Sequence, residues 1–352
     1  MVDDRQGAGA DRLRANDSPA GLRARLSDVA AEANVTKSVA SRVLNQDPTL
    51  KVREETRARV AQAAERLGYQ PHSGARALAS GEAGALALLL PDLSNPVFSR
   101  ILRGAFVRAL ARHYMVVVVE EDPGVEATEQ VTDLVRSGRV DGLLIGTARP
   151  GHPLFERDLA AFPHVFVNRP VAGSHRNVYL DFREASALAV EHLLSLGHRR
   201  LAHIAGPVDV TSAHEREKGY QAALASHGLG RGPVVHGTFD EEGGAEATSR
   251  LLRRHPEVTG VYVSSLTQAV GVLHAARALG RPAPGGLSVI SFDDSPLARY
   301  LDPPLTCVST SLEELGERAV DALISQLEGQ LVGDVVISGQ SNVVRRQSTA
   351  PV

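Results

Sequence analysis

The sequence predicts a small all-helical domain at the front of the chain, followed by an α/β body built from two doubly wound parallel sheets. Two patterns lead to this prediction. Residues 26–45 and 53–67 place apolar side chains at helical spacing, whereas continuous apolar runs of four to six residues alternate with helical segments from residue 84 onward. Such runs are typical of parallel strands that helices cover on both faces. With 352 residues, 43% of them hydrophobic, the chain is long enough for two or three domains.

The front of the chain is expected to form three short helices. In residues 26–45, apolar side chains at i, i+3, i+4 and i+7 share one face of a first helix. Asn34 follows where the chain must turn sharply, because asparagine tolerates a left-handed backbone, and Thr36 is placed to cap a second helix. A third helix over residues 53–67 completes the unit. Its expected core contains Leu26, Val29, Val39, Val43, Val60 and Leu67.

The polar face of the second helix favours nucleic-acid binding. It carries short or cationic donors: Lys37, Ser38, Ser41, Arg42 and Asn45. In a major groove, arginine reads guanine, while lysine and serine reach base edges or phosphates. The alternative is a solvated amphipathic helical hairpin without a ligand.

Charge distribution supports the nucleic-acid interpretation. The net charge is −3, but residues 21–80 hold ten Lys or Arg against six Asp or Glu, so this stretch carries +4 and the remainder −7. A basic front on an acidic body is expected of a DNA-binding module joined to a domain that does not bind DNA.

Residues 71–82 are expected to form a hinge or linker. Pro71 can open a helix and Gly81 can close one, but a helix of about eight residues is unstable alone in water. We expect the segment to be loose until it is held at both ends. A plain interdomain linker is the alternative.

The body is expected to contain nine strands and seven helices. The predicted strands cover residues 85–90, 115–120, 142–146, 164–168, 177–181, 200–206, 234–239, 260–265 and 287–294. The predicted helices cover residues 97–112, 126–138, 183–196, 212–227, 243–254, 267–279 and 312–328. Nine strands are too many for one small sheet, so the turn at residues 169–176 is the expected break between two halves. Ligands bind beyond the carboxyl ends of parallel strands, which predicts a cleft between the halves.

Other classes of function find little support in the sequence. It contains no phosphate-binding loop, nucleophile elbow or metal-binding cysteine or histidine spacing, so we expect neither an enzyme nor a cofactor nor a metal site. Cys307 is the single cysteine, which excludes an internal disulfide. No apolar run approaches the ~18 residues that span a bilayer, and residues 1–22 resemble a disordered polar tail without a signal core. These features predict a cytoplasmic protein that does not enter membranes.

Nine motifs resemble the LacI (lactose-repressor) family of bacterial transcription regulators, in the family's order, from Leu26 to about Thr349. They are LSDVAAEANVTKSVASRVLN, LGYQPHSGARALASG, PDLSNPVF, VDGLLIG, LGHRRLAHIAG, EREKGY, SVISFDD, PPLT and ELGERAV. The resemblance implies an all-α helix-turn-helix headpiece at residues 23–70, a hinge at 71–82 and an effector-binding and dimerisation domain at 83–352. That domain would be a periplasmic-binding-protein-like body of two doubly wound parallel-sheet subdomains. The implied subdomains cover about 83–170 with 309–330, and about 176–306 with 333–350.

The resemblance also implies the roles of individual residues. Lys37, Ser38 and Arg42 match base-reading positions, while Leu78 matches a leucine that wedges into the minor groove, with Ala75 and Arg76 beside it. The matching effector positions are Asn95, Phe98, Asn168, Arg169, His214, Ser265, Asp293 and Thr310.

Several positions depart from the family pattern. Asn34 and His72 replace the usual Gly of the turn and Asn of the hinge, and Val97 replaces a Phe. At the crossover and in the cleft, Asn168 replaces an Asp, and Ser265 and Leu266 replace an Asn-Asp pair. The loss of several carboxylates and amides makes a simple hexose a weaker assignment than sugars and related metabolites in general.

The implied function is a repressor that binds a pseudo-palindromic operator as a homodimer and responds to a small-molecule effector. The tetramers of the family carry an additional leucine-rich C-terminal helix, which this sequence does not show, so a dimer is expected. A solute-binding receptor of the same two-lobed fold is the alternative, but it would need an export signal and would lack residues 26–81.

Overall fold

The computed structural model describes residues 24–45, 47, 49–69, 82–121, 127–148 and 161–352. The chain divides into two compact units, with the division between residues 81 and 82. The predicted tail and nearly all of the predicted hinge lie outside the described residues.

The first unit contains the three helices that the sequence predicts, α1 (Leu26–Glu32), α2 (Lys37–Leu44) and α3 (Glu54–Arg66). The turn between α1 and α2 has the expected geometry, because Asn34 adopts a left-handed backbone with φ of 49°. The cap is also confirmed, since the Thr36 hydroxyl oxygen accepts a hydrogen bond from the Val39 N–H at 3.3 Å. Local sequence therefore sets the angle at which α2 leaves α1.

The three helices enclose a core with one difference from the prediction. Val29 and Val60 are fully buried between the helices, as expected. Leu67 is 38% exposed, so its predicted place in the core is wrong. The residue caps the C-terminus of α3, where the chain turns away at Gly68, and the loop residue Leu50 is buried in the core instead.

The second unit contains two six-stranded sheets covered by helices. The first sheet comprises β1 (Ala85–Leu90), β2 (Met115–Glu120), β3 (Gly142–Ile145), β4 (His164–Val167), β5 (Asn177–Leu180) and β11 (Val335–Ile337), in the order β11-β5-β4-β3-β1-β2. The second comprises β6 (Leu201–Ala205), β7 (Val234–His236), β8 (Gly260–Val263), β9 (Ser288–Phe292), β10 (Thr306–Ser309) and β12 (Asn342–Val344), in the order β12-β10-β9-β8-β6-β7. The described strand pairs are parallel, except that β12 is antiparallel to β10.

The helices of the body lie close to their predicted positions. They are α4 (Pro96–Ala111), α5 (Ala127–Arg136), α6 (Phe182–Ser195), α7 (Thr211–Ser226), α8 (Glu241–Arg254), α9 (Leu266–Ala278) and α10 (Leu312–Leu327). A short 3₁₀ segment, Pro296–Arg299, follows β9.

The structure corrects the predicted break between the halves. The turn at residues 169–176 joins two neighbouring strands of the first sheet, β4 and β5, so the chain crosses to the second half only at Asp181. It returns at residues 310–311 and crosses again at 338–341, between β11 and β12. The prediction also missed β10, β11 and β12, whose sequences TCVS, VVI and NVV hold only two or three consecutive apolar residues each.

Helices α4 and α10 are in direct backbone contact within the first half. A Cβ atom at Gly104 would overlap the carbonyl oxygen of Glu313, and one at Gly316 would overlap that of Ile101. Each glycine therefore allows the other helix to approach closely. This contact makes α4 and α10 one rigid layer on the first sheet.

The close contact gives a testable prediction for Gly104→Ala. Alanine normally stabilises a helix relative to glycine, but here overlap with backbone should lower the free energy of unfolding by ~1–3 kcal/mol. Urea unfolding measures the effect. Gly230→Ala is the matched control, because nothing lies within 4 Å of that position, and equal stability of the two variants would contradict the tight contact.

Candidate functional site

The predicted DNA-reading residues lie on α2 and at its C-terminus. Lys37, Ser38 and Asn45 are exposed, whereas Ser41 and Arg42 are half-buried. The Asn45 amide lies 3.5 Å from the Ser41 hydroxyl and can donate to it. The helix therefore offers a short row of donors on the side away from the core.

The loop after α2 fixes the position of Arg42. Its Nε donates to the Asp47 carboxylate at 2.7 Å, and its Nη2 donates to the Thr49 hydroxyl at 2.9 Å. Hydrogen bonds from Thr49, with the bond from Arg42, lower the pKa of Asp47 to about 2. The Arg42 side chain stays 43% exposed, so the guanidinium is held in place while remaining accessible. Sequence reasoning missed both partners, although Asp-Pro-Thr after a helix is a recognisable turn signal.

The minor-groove residues that the resemblance implies belong to the predicted hinge. Ala75, Arg76 and Leu78 lie outside the described residues.

The body contains a cavity of about 200 Å³ between its two halves. Six of the eight predicted effector residues line it: Asn95, Phe98, Asn168, Arg169, Ser265 and Asp293. Most of these side chains follow the carboxyl ends of parallel strands or cap the helices that begin there, as expected for an α/β cleft. Among the described residues, no group of His, Cys, Asp or Glu is arranged to hold a metal ion.

Asp293 is a buried carboxyl with one oxygen that lacks a hydrogen-bond partner in the described part of the chain. It is 3% exposed and directly follows β9 in a left-handed conformation, with φ of 67°. Its Oδ1 accepts a hydrogen bond from the Thr310 hydroxyl at 3.4 Å, while Oδ2 has no hydrogen-bond partner among the described residues. Burial raises the pKa of Asp293, although Arg216 and Arg100 oppose that shift.

Arg216 is the cleft residue that sequence reasoning missed. The side chain is 4% exposed, and its Cζ lies 4.0 Å from the centre of the Phe292 ring and 5.0 Å from that of Phe182. The guanidinium contacts these aromatic rings, but within the described part of the chain no hydrogen-bond acceptor lies within reach of its Nε. The Asp293 carboxyl, whose pKa Arg216 lowers, balances part of this charge, but the hydrogen bond of Nε remains open to a ligand.

The structure corrects the assignment of His214. That residue lies on the exposed side of α7, whereas Arg216, two positions later and about 200° further around the helix, faces the cavity. The signal was present in the sequence, since Arg216 falls on the apolar stripe of α7 with Ala213 and Tyr220, where charged residues are rare. Thr310 does not line the cavity, and it contacts the predicted ligand residue Asp293 instead.

Asn168 gives the cleft a further open acceptor. It follows β4, is 4% exposed and has φ of 65°. Its Oδ1 has no hydrogen-bond partner among the residues that the structure describes. Phe98 and Phe239 contribute aromatic surface to the same cavity. Polar groups with open hydrogen bonds beside aromatic faces are suited to a small polyhydroxylated or heterocyclic ligand.

Comparison with known families identifies both units. A family described as "Bacterial regulatory proteins, lacI family" matches residues 25–72, and one described as "Periplasmic binding protein-like domain" matches residues 190–349. No helix among the described residues combines the length and apolar character that crossing a membrane requires.

Among curated relatives, the HTH-type transcriptional repressor CytR of Escherichia coli K12 is 33% identical over 315 residues, which is 88% of this chain and 92% of the relative. The ribose operon repressor of Halalkalibacterium halodurans is 32% identical over 322 residues, which is 92% of this chain and 96% of that relative. Among solved structures, the lac repressor dimer bound to operator and the anti-inducer ONPF has a TM-score of 0.82 at 27% identity, covering 94% of this chain and all of that one. A complex of the transcriptional regulator CelR with cellobiose has a TM-score of 0.70 at 29% identity, covering 93% of this chain and all of that one.

The open groups in the cleft give a prediction for Asp293→Asn in the ligand-free protein. When folding raises the pKa of a carboxyl, the protein loses stability as the pH rises above the pKa of that carboxyl in the unfolded chain. The reason is that the folded state resists ionisation of the group. At pH 7 the amide should therefore raise the melting temperature by a few degrees, and the difference should shrink near pH 4.

Thermal unfolding across this pH range measures the effect. The exposed Asp302 is paired with Arg277, and Asp302→Asn, which should change little, is the control. A lower melting temperature for Asp293→Asn at pH 7 would mean that the carboxylate stabilises the empty cleft, contrary to our interpretation.

Proposed function

The chain belongs to the LacI family of bacterial regulatory proteins, and from this premise we propose that it is a transcriptional repressor controlled by a small molecule. The proposed regulator binds a pseudo-palindromic operator as a homodimer, in the cytoplasm, and has no catalytic role. One observation carries the proposal, namely that a helix of exposed donors and a cleft with unsatisfied polar groups occur in the same chain.

Operator recognition is assigned to α2. The exposed ends of Lys37 and Ser38 and the fixed guanidinium of Arg42 supply the donors that base edges and phosphates accept. One headpiece contacts too few bases for useful specificity, so two related copies on a pseudo-palindromic site are needed. We also assign minor-groove contacts to Ala75, Arg76 and Leu78, which the described residues do not include.

The effector is proposed to be a sugar or a related metabolite that binds between the halves. Arg216 and the open Oδ2 of Asp293 lie at the same cavity and can serve neighbouring hydroxyl groups, and Asn168 adds another acceptor. Phe98 and Phe239 would cover the apolar face of a ring. The relatives support this class, because one is named for the ribose operon and one structure contains cellobiose.

An apolar surface on the first half is proposed to form the dimer interface. It comprises the exposed side of α4 and the edge strand β2, where Phe106, Leu110 and Met115 are 53%, 62% and 62% exposed. Exposed apolar side chains in one patch are unusual for a monomer, and β2 is an edge strand of the first sheet in the described part of the chain. A two-fold contact through this surface would pair the same residues of both protomers.

The proposed reading face predicts the effect of Arg42→Ala. An operator is first selected from random oligonucleotides with the full chain, and affinity is then measured by fluorescence anisotropy. A dimer loses two guanidinium contacts of about 1–3 kcal/mol each, so operator affinity should fall by at least about thirtyfold.

The affinity of the variant for random-sequence DNA should fall much less, because phosphate contacts supply most of the binding to such DNA. Arg66→Ala is the control, since Arg66 is an exposed arginine of the same unit, on α3 and paired with Glu32. Circular dichroism verifies that both variants fold. Unchanged operator affinity for Arg42→Ala would refute the assignment of the reading face.

The proposed dimer surface predicts that Leu110→Asp yields monomers. A desolvated aspartate at the centre of an apolar interface is costly, so sedimentation velocity should show a shift from dimer to monomer at micromolar concentration. Leu331→Asp is the control, because that fully exposed leucine lies outside the patch, after α10. A dimeric Leu110→Asp variant would exclude this surface.

A further inference from the structure

The guanidinium of Arg100 contacts three elements of the body at once. It lies on α4, and its side chain is 23% exposed. Its Nε donates to Glu313 Oε1 at 2.8 Å and its Nη2 donates to Oε2 at 2.5 Å, so the two groups form a bidentate pair at the start of α10. This pair joins two helices of the first half.

The same guanidinium also reaches the second half. Its Nη1 donates to the carbonyl oxygen of Asp294 at 2.9 Å, and its Nη2 lies 3.4 Å from the carbonyl oxygen of Thr310, where the chain crosses between the halves. Asp294 follows Asp293, the carboxyl that lines the cleft. Arg100 therefore touches the backbone next to the proposed effector contact, from the opposite half of the molecule.

The contacted turn is firmly part of the second half. The Asp294 carboxylate pairs with Arg346 at 2.8 Å, and these side chains are 18% and 10% exposed. Arg346 also donates to the carbonyl oxygen of Leu305 at 2.7 Å. Because Asp293 holds a left-handed backbone beside this pair, the turn has little freedom to move by itself.

The other side of the contact is equally rigid. The glycines at 104 and 316 bring α4 and α10 into backbone contact, so Arg100 and Glu313 move together. Helix α4 then continues to Phe106 and Leu110 in the apolar surface described above. The hydrogen bond from Arg100 to Asp294 is thus a junction between two rigid bodies, with the cleft on one side and the apolar surface on the other.

We propose that Arg100 is a positioning residue that ties the effector-binding turn of the second half to helix α4 of the first half. Through this contact, the state of the cleft and the position of α4 change together. A ligand that binds the open oxygen of Asp293 displaces the turn together with the rest of the second half, and the guanidinium transmits that displacement to α4. The effect of this movement on DNA binding rests on the proposed function, whereas the contact of Arg100 with both halves does not.

Arg108 provides a matched control on the same helix. Its Nε donates to Asp321 of α10 at 2.6 Å, so it joins the same two helices by the same chemistry. Its hydrogen bond does not extend to the second half. If Arg100 only stabilises the α4–α10 layer, Arg100→Ala and Arg108→Ala should behave alike.

The experiment measures the distance between the halves by double electron–electron resonance. Nitroxide labels are placed through Arg139→Cys in the first half and Glu246→Cys in the second, both exposed positions, while the native Cys307 is buried. The labelled full chain is diluted with unlabelled chain to suppress signals between protomers. Neither DNA nor effector is needed.

We expect Arg100→Ala to broaden or shift the distance distribution, roughly doubling its width, while Arg108→Ala retains the parent distribution. Arg100→Lys should give an intermediate width, because lysine keeps the charge but cannot contact the carboxylate and the carbonyl together. If the alanine variant fails to fold, the lysine variant replaces it in the comparison with Arg108→Ala. Equal distributions for Arg100→Ala and Arg108→Ala would overturn the proposal.

Affinity for the selected operator separates this inference from the proposed function. Arg100→Ala should change operator affinity by at least about fivefold, and Arg108→Ala by less than about twofold. A broadened distribution with equal operator affinities would refute the transmission to α4. If the parent chain preferred no DNA sequence, the proposed function would fail while the distance result still decided the role of Arg100.

Discussion

The cleft of the body depends on two charged groups that the protein buries without fully satisfying them. Arg216 lies against Phe292 without an acceptor for its Nε, and one oxygen of Asp293 lacks a donor among the described residues. Burying such groups costs free energy, which the apolar cores of the two sheets must offset. A cleft formed for stability alone would be filled with apolar side chains. The cost is therefore best explained by a ligand that completes these hydrogen bonds.

The topology gives the two halves a way to respond to that ligand. Three chain crossings connect the sheets, at residue 181, at 310–311 and at 338–341, and residues that follow the strand ends line the cleft. The glycine contacts between α4 and α10 keep the first half stiff. A change at the cleft is consequently expressed as a displacement between bodies and not as a local distortion. Arg100 donates hydrogen bonds to both halves, so such a displacement changes its contacts directly.

Local features were predictable from sequence, whereas contacts between distant residues were not. The turn at Asn34 and the cap at Thr36 depend on a few neighbouring residues, and the predictions for both were confirmed. The membership of β5 in the first sheet depends on pairing partners far along the chain, so a turn-rich segment before it was mistaken for the domain break. His214 was selected by family position, while the helical stripe of α7 points to Arg216. The exposure of Leu67 followed from where α3 ends, which sequence patterns define poorly.

The most direct test measures how a small molecule in the cleft alters DNA recognition by the whole chain. The full chain is titrated onto its selected operator and onto random competitor DNA, with and without sugars and nucleosides that raise the melting temperature of the body. We expect a marked preference for the operator, which such a molecule changes at least about tenfold in the parent chain but not in Arg216→Ala. A chain that binds all DNA sequences alike, with every compound and without any, would contradict the central claim.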